Sequence, residues 1–304
     1  MMLKQIKNRL SKWKWKERKV IRGMKNRDKT FYVIRRNSKS VGLFSYVLTA
    51  LGHMKTAEER GYIPVVDMKN YITPYLDKEH PLNVWEYYFE QPAGYDLKAI
   101  WGSRNIVLAS GEVPESFPDF PMLESEEEVL MWRKLFHKYV RLNKETEQYI
   151  SNIQEKLFKN ERILGVLCRG TDYQATKPKG HPIQPEAEQV ITKVQSMMEE
   201  KNCTKVYLAT EDQKILQSFR EAFGEKLIFP DVQMRPYNEG ELITEIEMER
   251  KDDRRLKGLE YLTQIALLSR CCCLISGRCG GCYGALLMSE GYEEEYIWDL
   301  GLYQ

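Results

Sequence analysis

Short apolar runs alternate with stripes of helical spacing along most of the chain. Residues 31–34 and 62–66 are β-prone runs, and apolar side chains recur every three or four positions over residues 43–54. This pattern predicts one β-α-β unit. A third strand is predicted at residues 105–109, and a long helical region is predicted over residues 126–158.

A second alternating series begins near residue 160. It predicts strands at 163–168, 205–209, 227–229 and 272–276, and helices at 185–200, 213–223, 256–269 and 284–289. Two series of similar size predict an α/β protein of two Rossmann-like, doubly wound domains with a cleft between them. The predicted domains are residues 31–160 and 161–304.

The first 30 residues differ from the rest in charge. The 304-residue chain has a formal net charge of +2, but residues 1–30 alone carry +10, which leaves −8 for the remainder. Their apolar positions recur at helical spacing while Lys and Arg fill the other side, which predicts a basic amphipathic helix on an anionic membrane. The positions on the apolar side are Leu3, Ile6, Leu10, Trp13, Val20, Ile21 and Met24, with Trp13 and Trp15 at headgroup depth.

Other interpretations of this basic segment are a solvated tail, a helix docked on the acidic body, and a nucleic-acid-binding arm. No zinc-finger spacing or RNP-like aromatic motif accompanies it, so we expect no nucleic-acid partner. No apolar run is long enough to span a bilayer, and no secretory leader pattern is present. We therefore expect a cytoplasmic protein that associates peripherally with the inner face of the membrane.

Seven cysteines, an odd number, indicate a reducing compartment rather than a disulfide framework. Cys279 and Cys282 form a single CxxC, and zinc would need two further ligands, so we expect no metal. The four histidines form no HExxH pair, and neither a GxSxG elbow nor an Asp-x-Asp pair occurs. These absences disfavour zinc proteases and serine hydrolases.

Polar residues follow three predicted strands of the second half, at the edge where open α/β sheets bind ligands. They are Arg169, Gly170, Thr171 and Asp172 after the first strand, Thr210, Glu211 and Asp212 after the second, and the run 276–284 after the last. Arg169 follows a buried strand directly, and its guanidinium matches a diphosphate; a salt bridge to Asp172 is the alternative.

The run 276–284 contains Ser276, Gly277, Arg278, Gly280 and Gly281. A glycine-rich turn between a strand and a helix allows backbone N–H groups to hold a phosphate, and Arg278 would add charge. The spacing fits neither the P-loop nor the dinucleotide fingerprint, so a purely structural turn is the alternative.

Three segments carry a family resemblance. Residues 165–183, 205–212 and 267–276 resemble, in order and spacing, the donor domain of the fucosyltransferase superfamily. That superfamily includes α-1,6-fucosyltransferases, bacterial nodulation fucosyltransferases and protein O-fucosyltransferases. The resemblance implies a divergent member with a GT-B fold, GDP-fucose held mainly by the second domain, and an inverting transfer that needs no metal or other cofactor. The implied acceptor is a glycan or a lipid-linked glycan.

The resemblance also implies roles for individual residues. Arg169 matches the arginine that grips the donor diphosphate, Asp172 closes the same motif, and His181 matches a histidine that follows at the same spacing. Thr210, Glu211 and Asp212 match the nucleotide pocket, and Ser276 with the glycine-rich run occupies the region that closes over the phosphates.

The sequence departs from the family pattern near the expected base. Leu167 and Gly170 replace a histidine and a second arginine of the motif, and Lys177 stands where the α-1,6 branch has a glutamate. Glu260 lies one turn from the position of a late aspartate. The base is therefore open among Asp172, Glu211 and Glu260, and a transfer without a base is a further alternative, in which departure of the nucleotide alone makes the sugar carbon sufficiently electrophilic. Alternative functions are transfer from another nucleotide sugar, and binding of a nucleotide or glycan without catalysis after loss of the base.

Overall fold

The computed structural model describes residues 15–77, 82–169, 176–230 and 246–304, which contain nine strands and eight α-helices. The strands are β1 (Arg18–Val20), β2 (Lys25–Arg35), β3 (Ile63–Asp67), β4 (Ser103–Leu108), β5 (Ile163–Leu167), β6 (Lys205–Ala209), β7 (Leu227–Ile228), β8 (Cys273–Gly277) and β9 (Glu294–Trp298). The helices are α1 (Leu43–Glu59), α2 (Leu97–Ile100), α3 (Glu126–Tyr139), α4 (Lys144–Phe158), α5 (Ala187–Glu200), α6 (Gln213–Phe223), α7 (Asp253–Leu268) and α8 (Gly280–Met288). Short 3₁₀ turns lie at Val84–Tyr87, Phe120–Glu124 and Gly224–Lys226.

The second half of the chain forms a five-stranded sheet in the order β7-β6-β5-β8-β9. All four neighbouring pairs are parallel. The chain moves outward from β5 through β6 to β7 and then returns to the other side of β5 as β8. The boundary between β5 and β8 is therefore a topological switch point, where helices leave the sheet in opposite directions and ligands commonly bind.

The first half forms a four-stranded sheet in the order β1-β4-β2-β3. Strands β2, β3 and β4 are parallel, and β1 is an antiparallel edge strand. Helix α1 connects β2 to β3, which confirms the predicted β-α-β unit. It ends at Glu59, and Gly61 just beyond it has a φ of +64°, a left-handed conformation that glycine adopts without a steric penalty.

The helical region predicted over residues 126–158 is two helices. The residues between the two helices pair with another segment instead of continuing the helix. Leu142 makes an antiparallel bridge to Phe89, and Glu90 donates its backbone N–H to Arg141 O at 2.9 Å. Asn143 then starts α4 by accepting the backbone N–H of Thr146 at 2.9 Å. Capping by asparagine, which helical periodicity does not detect, produces the break.

Helix α8 begins at Gly280 and not at Gly284, so the predicted glycine-rich turn is mostly the first turn of a helix. Its glycines allow close packing. A Cβ atom on Gly284 would lie 2.2 Å from the Phe44 ring, and one on Gly281 would lie 2.5 Å from the Tyr261 hydroxyl. Any larger side chain at either position would require a neighbouring ring to move.

The prediction of an N-terminal helix is wrong for residues 18–30. That segment contains β1 and the start of β2, which pair with opposite sides of β4. Trp15 packs on the body of the protein, with its ring 5.3 Å from that of Tyr71 and close against Gly111. Residues 1–14, with Trp13, lie outside the described part of the chain.

One apolar core links the two halves. It contains Phe44 and Trp85 from the first half together with Leu262 and Leu286 from the second. Hydrogen bonds from side chains to the backbone also join the two halves; for example, Tyr88 Oη donates to Arg255 O at 2.8 Å. None of the helices that the structure describes combines the length and the apolar composition required of a membrane span. The domain boundaries at residues 30 and 160 stay predictions.

Candidate functional site

A cavity of about 380 Å³ lies at the carboxyl edge of the five-stranded sheet. Its walls come from both halves of the chain. The lining residues are Arg36, Ser40, Val41, Gly42, Phe44, Ser45, Tyr75, Arg169, Pro178, His181, Glu211, Lys257, Tyr261, Gly280 and Gly281.

The switch point of the second sheet contributes the wall that the sequence predicted. Arg169 follows β5 by two residues, and Gly280 and Gly281 form the start of α8 after β8. The first backbone N–H groups of a helix have no partner within the helix, and they carry a partial positive charge. Arg169 and the N-terminus of α8 thus face the cavity from the two strands that flank the switch point.

The first sheet contributes Arg36, which directly follows β2. Its guanidinium donates to Ser45 O at 2.9 Å and to Thr49 Oγ1 at 2.8 Å, which fixes it against the first turns of α1. Burial lowers the pKa of Arg36 from its ordinary value because the charged form loses hydration. The neighbouring Arg35 is 2% exposed and serves the fold, donating through Nε to Ala109 O.

Helix α7 contributes Lys257 and Tyr261, one turn apart. Lys257 is only 5% exposed, and a lysine that deep is rare unless an anion accompanies it. Burial raises the pKa of the Tyr261 hydroxyl well above its ordinary value. Three basic side chains, Arg36, Arg169 and Lys257, therefore converge on one cavity.

His181 also lines the cavity, on a segment that residues 301–303 hold in place. Ile183 donates its backbone N–H to Gly301 O at 3.0 Å, and Tyr303 donates its own to His181 O at 2.9 Å. Partial burial and the positive charge of Arg169 lower the pKa of His181 from its ordinary value. The imidazole is therefore mainly neutral at pH 7 in the free protein.

The three polar residues after β6 have different surroundings. Glu211 lines the cavity. Asp212 caps α6, accepting the backbone N–H groups of Lys214 and Ile215 at 2.7 and 3.3 Å. Thr210 is 3% exposed and accepts the backbone N–H of Asp212 at 3.2 Å. Of the three, only Glu211 belongs to the cavity wall, and the other two shape the turn that presents it.

Residues 276–278 lie outside the cavity wall. Ser276 is buried and donates to Gly277 O at 2.7 Å, and Gly277 packs so closely on Gln184 that a Cβ would lie 2.3 Å from its Oε1. Arg278 pairs with Asp299 at 2.8 Å, and its guanidinium stands 4.5 Å from the centre of the Phe120 ring. Arg278 is therefore not one of the basic residues of the cavity wall, whereas Arg36 and Lys257 are.

Glu260 is held in a bidentate ion pair. Its two carboxylate oxygens accept from the Arg250 guanidinium at 2.6 and 2.7 Å, and Arg250 also contacts Asp253. Hydrogen bonds to both carboxylates raise the pKa of Arg250. This pairing leaves Glu260 poorly suited to accept a substrate proton. Gly170, Thr171 and Asp172 lie outside the described residues.

Cys279 and Cys282 are both buried, and neither belongs to a group of metal-ligating side chains among the residues described here. Arg36 and Lys257 are the basic residues that sequence reasoning missed. Arg36 carries the same signal as Arg169, an arginine directly after a buried strand. No sequence signal identifies Lys257, because a lysine on a helix is ordinary and only the fold shows that it is buried.

Neither a protein-family profile nor a curated protein sequence matches the chain. Several solved structures, in contrast, are similar to the chain. The chain resembles POFUT1 in complex with GDP with a TM-score of 0.55 at 9% identity, covering 88% of this chain and 99% of that one. POFUT1 in complex with GDP-fucose gives 0.50 at 10% identity, over 88% and 98%. Fucosyltransferase NodZ from Bradyrhizobium gives 0.49 at 16% identity, over 86% and 93%.

The two similarities to POFUT1 extend over most of both chains, so they concern the whole fold and not one motif. The chain has a fucosyltransferase-like fold, as the three sequence segments predicted. At identities this low the comparison defines the fold, and the chemistry has to be argued from the cavity.

Proposed function

We propose that the protein is a glycosyltransferase that uses a nucleotide diphosphate sugar, with GDP-fucose as the donor. The observation that carries this proposal is the convergence of Arg36, Arg169 and Lys257 on one cavity that also receives the N-terminus of α8. These groups match the charge of a diphosphate. The choice of GDP-fucose rests on the fold, which POFUT1 shares in its complexes with GDP and GDP-fucose.

In the proposed reaction an acceptor hydroxyl attacks the anomeric carbon of fucose with inversion. The new carbon–oxygen bond forms as the bond from that carbon to the β-phosphate oxygen breaks, and GDP departs. Negative charge grows on the β-phosphate as this happens, and preorganised cations there lower the barrier. The three basic residues supply the positive charge that a divalent metal supplies in other enzymes, so the proposed transfer needs no metal.

Glu211 is the proposed base. Among the described residues of the cavity wall it is the carboxylate, and Glu260 does not line the cavity. The acceptor hydroxyl would pass its proton to Glu211 as it attacks. We expect Glu211→Gln to retain GDP binding within about threefold and to lose transfer by at least about 100-fold, the upper range for a general base. Equal losses in binding and transfer would instead place Glu211 against the nucleotide.

The two sheets support a GT-B arrangement with the acceptor held on the first-half side. Arg36 follows β2 and Arg169 follows β5, so each sheet directs a carboxyl edge at the same cavity. Residues 40–45, which enter α1, form the wall on the first-half side. An acceptor entering from that side would meet the sugar next to the phosphates, and we propose a glycan or lipid-linked glycan for this role.

Donor binding and hydrolysis test the proposal. Calorimetry should detect GDP binding, and a panel of nucleotide sugars should show hydrolysis or transfer with GDP-fucose. Arg169→Ala should lower transfer by at least about 100-fold, since loss of one charge-stabilising donor has an effect of that size. Arg278→Ala is the matched control, because its guanidinium pairs with Asp299 outside the cavity, and it should stay within about threefold of the parent.

The outcomes distinguish the alternatives. Full transfer by the Arg169→Ala protein would overturn the proposed site. Turnover of another nucleotide sugar in place of GDP-fucose would keep the site and change the donor. Tight GDP binding with no turnover of any donor and any acceptor would identify a nucleotide-binding protein without catalysis.

We also propose that the basic N-terminal region holds the protein on an anionic membrane on the cytoplasmic side. Ile21, Met24 and Trp101 are 74%, 56% and 67% exposed. The segment with Ile21 and Met24 bonds to the one after Trp101, because Arg22 donates its backbone N–H to Ser103 O at 3.1 Å and Lys25 donates its own to Gly102 O at 3.0 Å. The Arg22 guanidinium stands 4.8 Å from the centre of the Trp101 ring. Exposed apolar side chains surrounded by Lys and Arg suit an interface of acyl chains and anionic headgroups.

Vesicle sedimentation tests this attachment. The protein should bind vesicles rich in phosphatidylserine, and it should bind pure phosphatidylcholine vesicles much less. A Trp101→Ser variant should lose at least half of the bound fraction, with Tyr149→Ser, an exposed aromatic of α4, as the control. Equal binding to both vesicle types would contradict the electrostatic part of the proposal.

A further inference from the structure

Three cysteines meet at the amino edge of the second sheet, the edge opposite the cavity. Cys203 lies two residues before the start of β6. Cys272 lies directly before β8, and Cys273 is its first residue. Their three sulfur atoms all lie within 4.8 Å of one another, and the Cys203 and Cys272 sulfurs are 3.6 Å apart. We name these three residues the thiol cluster.

The backbone holds the thiol cluster in position. Cys272 donates its backbone N–H to Ile163 O at 3.0 Å, and Cys203 donates its own to Met198 O at 2.9 Å. Strand β5 lies between β6 and β8, so it fixes the separation of the two segments that carry the thiols. The cluster is therefore built before any ligand arrives, which lowers the entropic cost of binding.

We propose that the thiol cluster is a binding site for a soft, thiophilic metal ion of the Zn²⁺ class, held by three sulfur ligands. A metal with bonds of about 2.3 Å to sulfur places its ligand sulfurs about 3.8 to 4.0 Å apart, close to the separations seen here. Three sulfurs leave a coordination position for water. A disulfide would use two of the thiols and leave the third without a role.

Solvent access favours this ligand. Cys272 is half-buried, so an ion can reach the cluster from solvent, whereas Cys203 and Cys273 are buried. Arg162, bound to Glu293, and Lys201, bound to Glu294, stand beside the cluster. Three thiolates around a divalent ion carry a net charge of −1, which Arg162 and Lys201 oppose and their partners Glu293 and Glu294 offset.

Metal binding must displace protons from the sulfurs. Burial raises the pKa of the Cys203 thiol to about 12 and that of Cys273 to about 11. As each metal–sulfur bond forms, the thiol proton passes to solvent, so up to three protons leave for each ion bound. No oxidant or reductant takes part, and the oxidation states of sulfur and metal do not change.

Titration of the reduced, metal-stripped protein with Cd²⁺ alone tests the site. We expect one Cd²⁺ per chain, an ultraviolet thiolate-to-cadmium absorption band, and a rise in melting temperature of several degrees. Zn²⁺ should displace or compete with Cd²⁺ at the same stoichiometry. Cys272→Ser, at the half-buried position, should weaken binding by at least about tenfold.

Cys271→Ser is the matched control. It adjoins Cys272 in sequence, but its sulfur donates to Leu267 O at 3.5 Å on the other face of the sheet. It should bind Cd²⁺ as the parent does, and Cys203→Ser provides a second test should Cys272→Ser fold poorly. The proposal is overturned by the absence of saturable binding at one equivalent. It is equally overturned by unchanged affinity in both cluster variants.

Discussion

Three basic residues of the cavity are held in different ways, and this determines how they respond to an anion. Arg36 is fixed by hydrogen bonds to α1, and Lys257 is buried on α7. Arg169 extends from the end of β5 and acts on its neighbour His181 through its charge. An anion that neutralises Arg169 therefore changes the protonation of His181 as well.

This coupling predicts a pH dependence of donor binding. The pKa of His181 is lowered in the free protein by burial and by Arg169, and a bound diphosphate should raise it. Binding then takes up a proton, so affinity for GDP-fucose should rise as pH falls through the range between the two pKa values. GDP-fucose without acceptor suits the calorimetry, because its diphosphate does not titrate in this range.

The control for this prediction is His181→Gln. It keeps a polar side chain at the cavity and removes the titrating group, so its affinity should vary less with pH than that of the parent. An identical pH profile in the two proteins would show that His181 does not sense the ligand.

How far single residues are predictable depends on whether the signal is local. Arg169 was identified because a charge after a buried strand is unusual in any fold. Lys257 was missed because its burial depends on packing between segments more than 200 residues apart. Glu260 was assigned by position along the chain, and its ion pair with Arg250 depends on a turn that no sequence pattern indicates.

At the scale of elements, α8 shows why glycine-rich sequence was misinterpreted. Glycine is common both in turns and where backbones approach closely, and the sequence does not separate the two. Here Gly284 faces Phe44 of α1 and Gly281 faces Tyr261 of α7. These contacts bring α8 close enough to both helices for its N-terminus to reach the cavity.

Substitution of Gly284 tests this packing. Gly284→Ala should lower the free energy of unfolding by about 1 to 3 kcal/mol, because the new methyl group would lie 2.2 Å from the Phe44 ring. Gly280→Ala is the control in the same helix, since its Cβ would meet atoms no closer than 3.5 Å. It should change stability by less than about 1 kcal/mol. Chemical denaturation followed by circular dichroism measures both.

A second substitution identifies the contact responsible. Phe44→Leu in the Gly284→Ala background should recover part of the lost stability relative to the sum of the two single changes. Strict additivity of the two changes would contradict a direct clash.

Strands were predicted best where they are buried on both faces. Strands β5, β6 and β8 are continuous apolar runs, which is the expected pattern for the centre of a parallel sheet. Strands β1 and β9 were missed because they are edge strands of mixed burial. The predicted N-terminal helix is wrong for residues 18–30 for a related reason, since pairing with β4 outweighs a helical spacing of apolar side chains.

For the whole molecule, the shared apolar core predicts a single cooperative unit. Phe44, Trp85, Leu262 and Leu286 belong to one cluster, and helices from both halves cover it. We expect one unfolding transition in urea, with tryptophan fluorescence and circular dichroism giving the same midpoint. Two separated midpoints would contradict this.

The same core determines how a fragment should behave. Residues 161–304 expressed alone should aggregate or remain partly folded, because α7 and α8 would expose the faces that α1 and α3 cover. A fragment that is monomeric and melts cooperatively would show that the second half is an independent domain. Gel filtration and calorimetry distinguish the two outcomes.

The fit of Gly284 against Phe44 also bears on how such a protein can change over evolutionary time. The second half of the chain is not freely exchangeable between relatives, because alanine or serine at position 284 would place a Cβ 2.2 Å from the Phe44 ring. Recombination at residue 160 would then succeed only when both partners of the contact are inherited together. New ligand specificities are more accessible through changes in the cavity wall, such as at Ser40, Val41 and Ser45, than through replacement of a whole half.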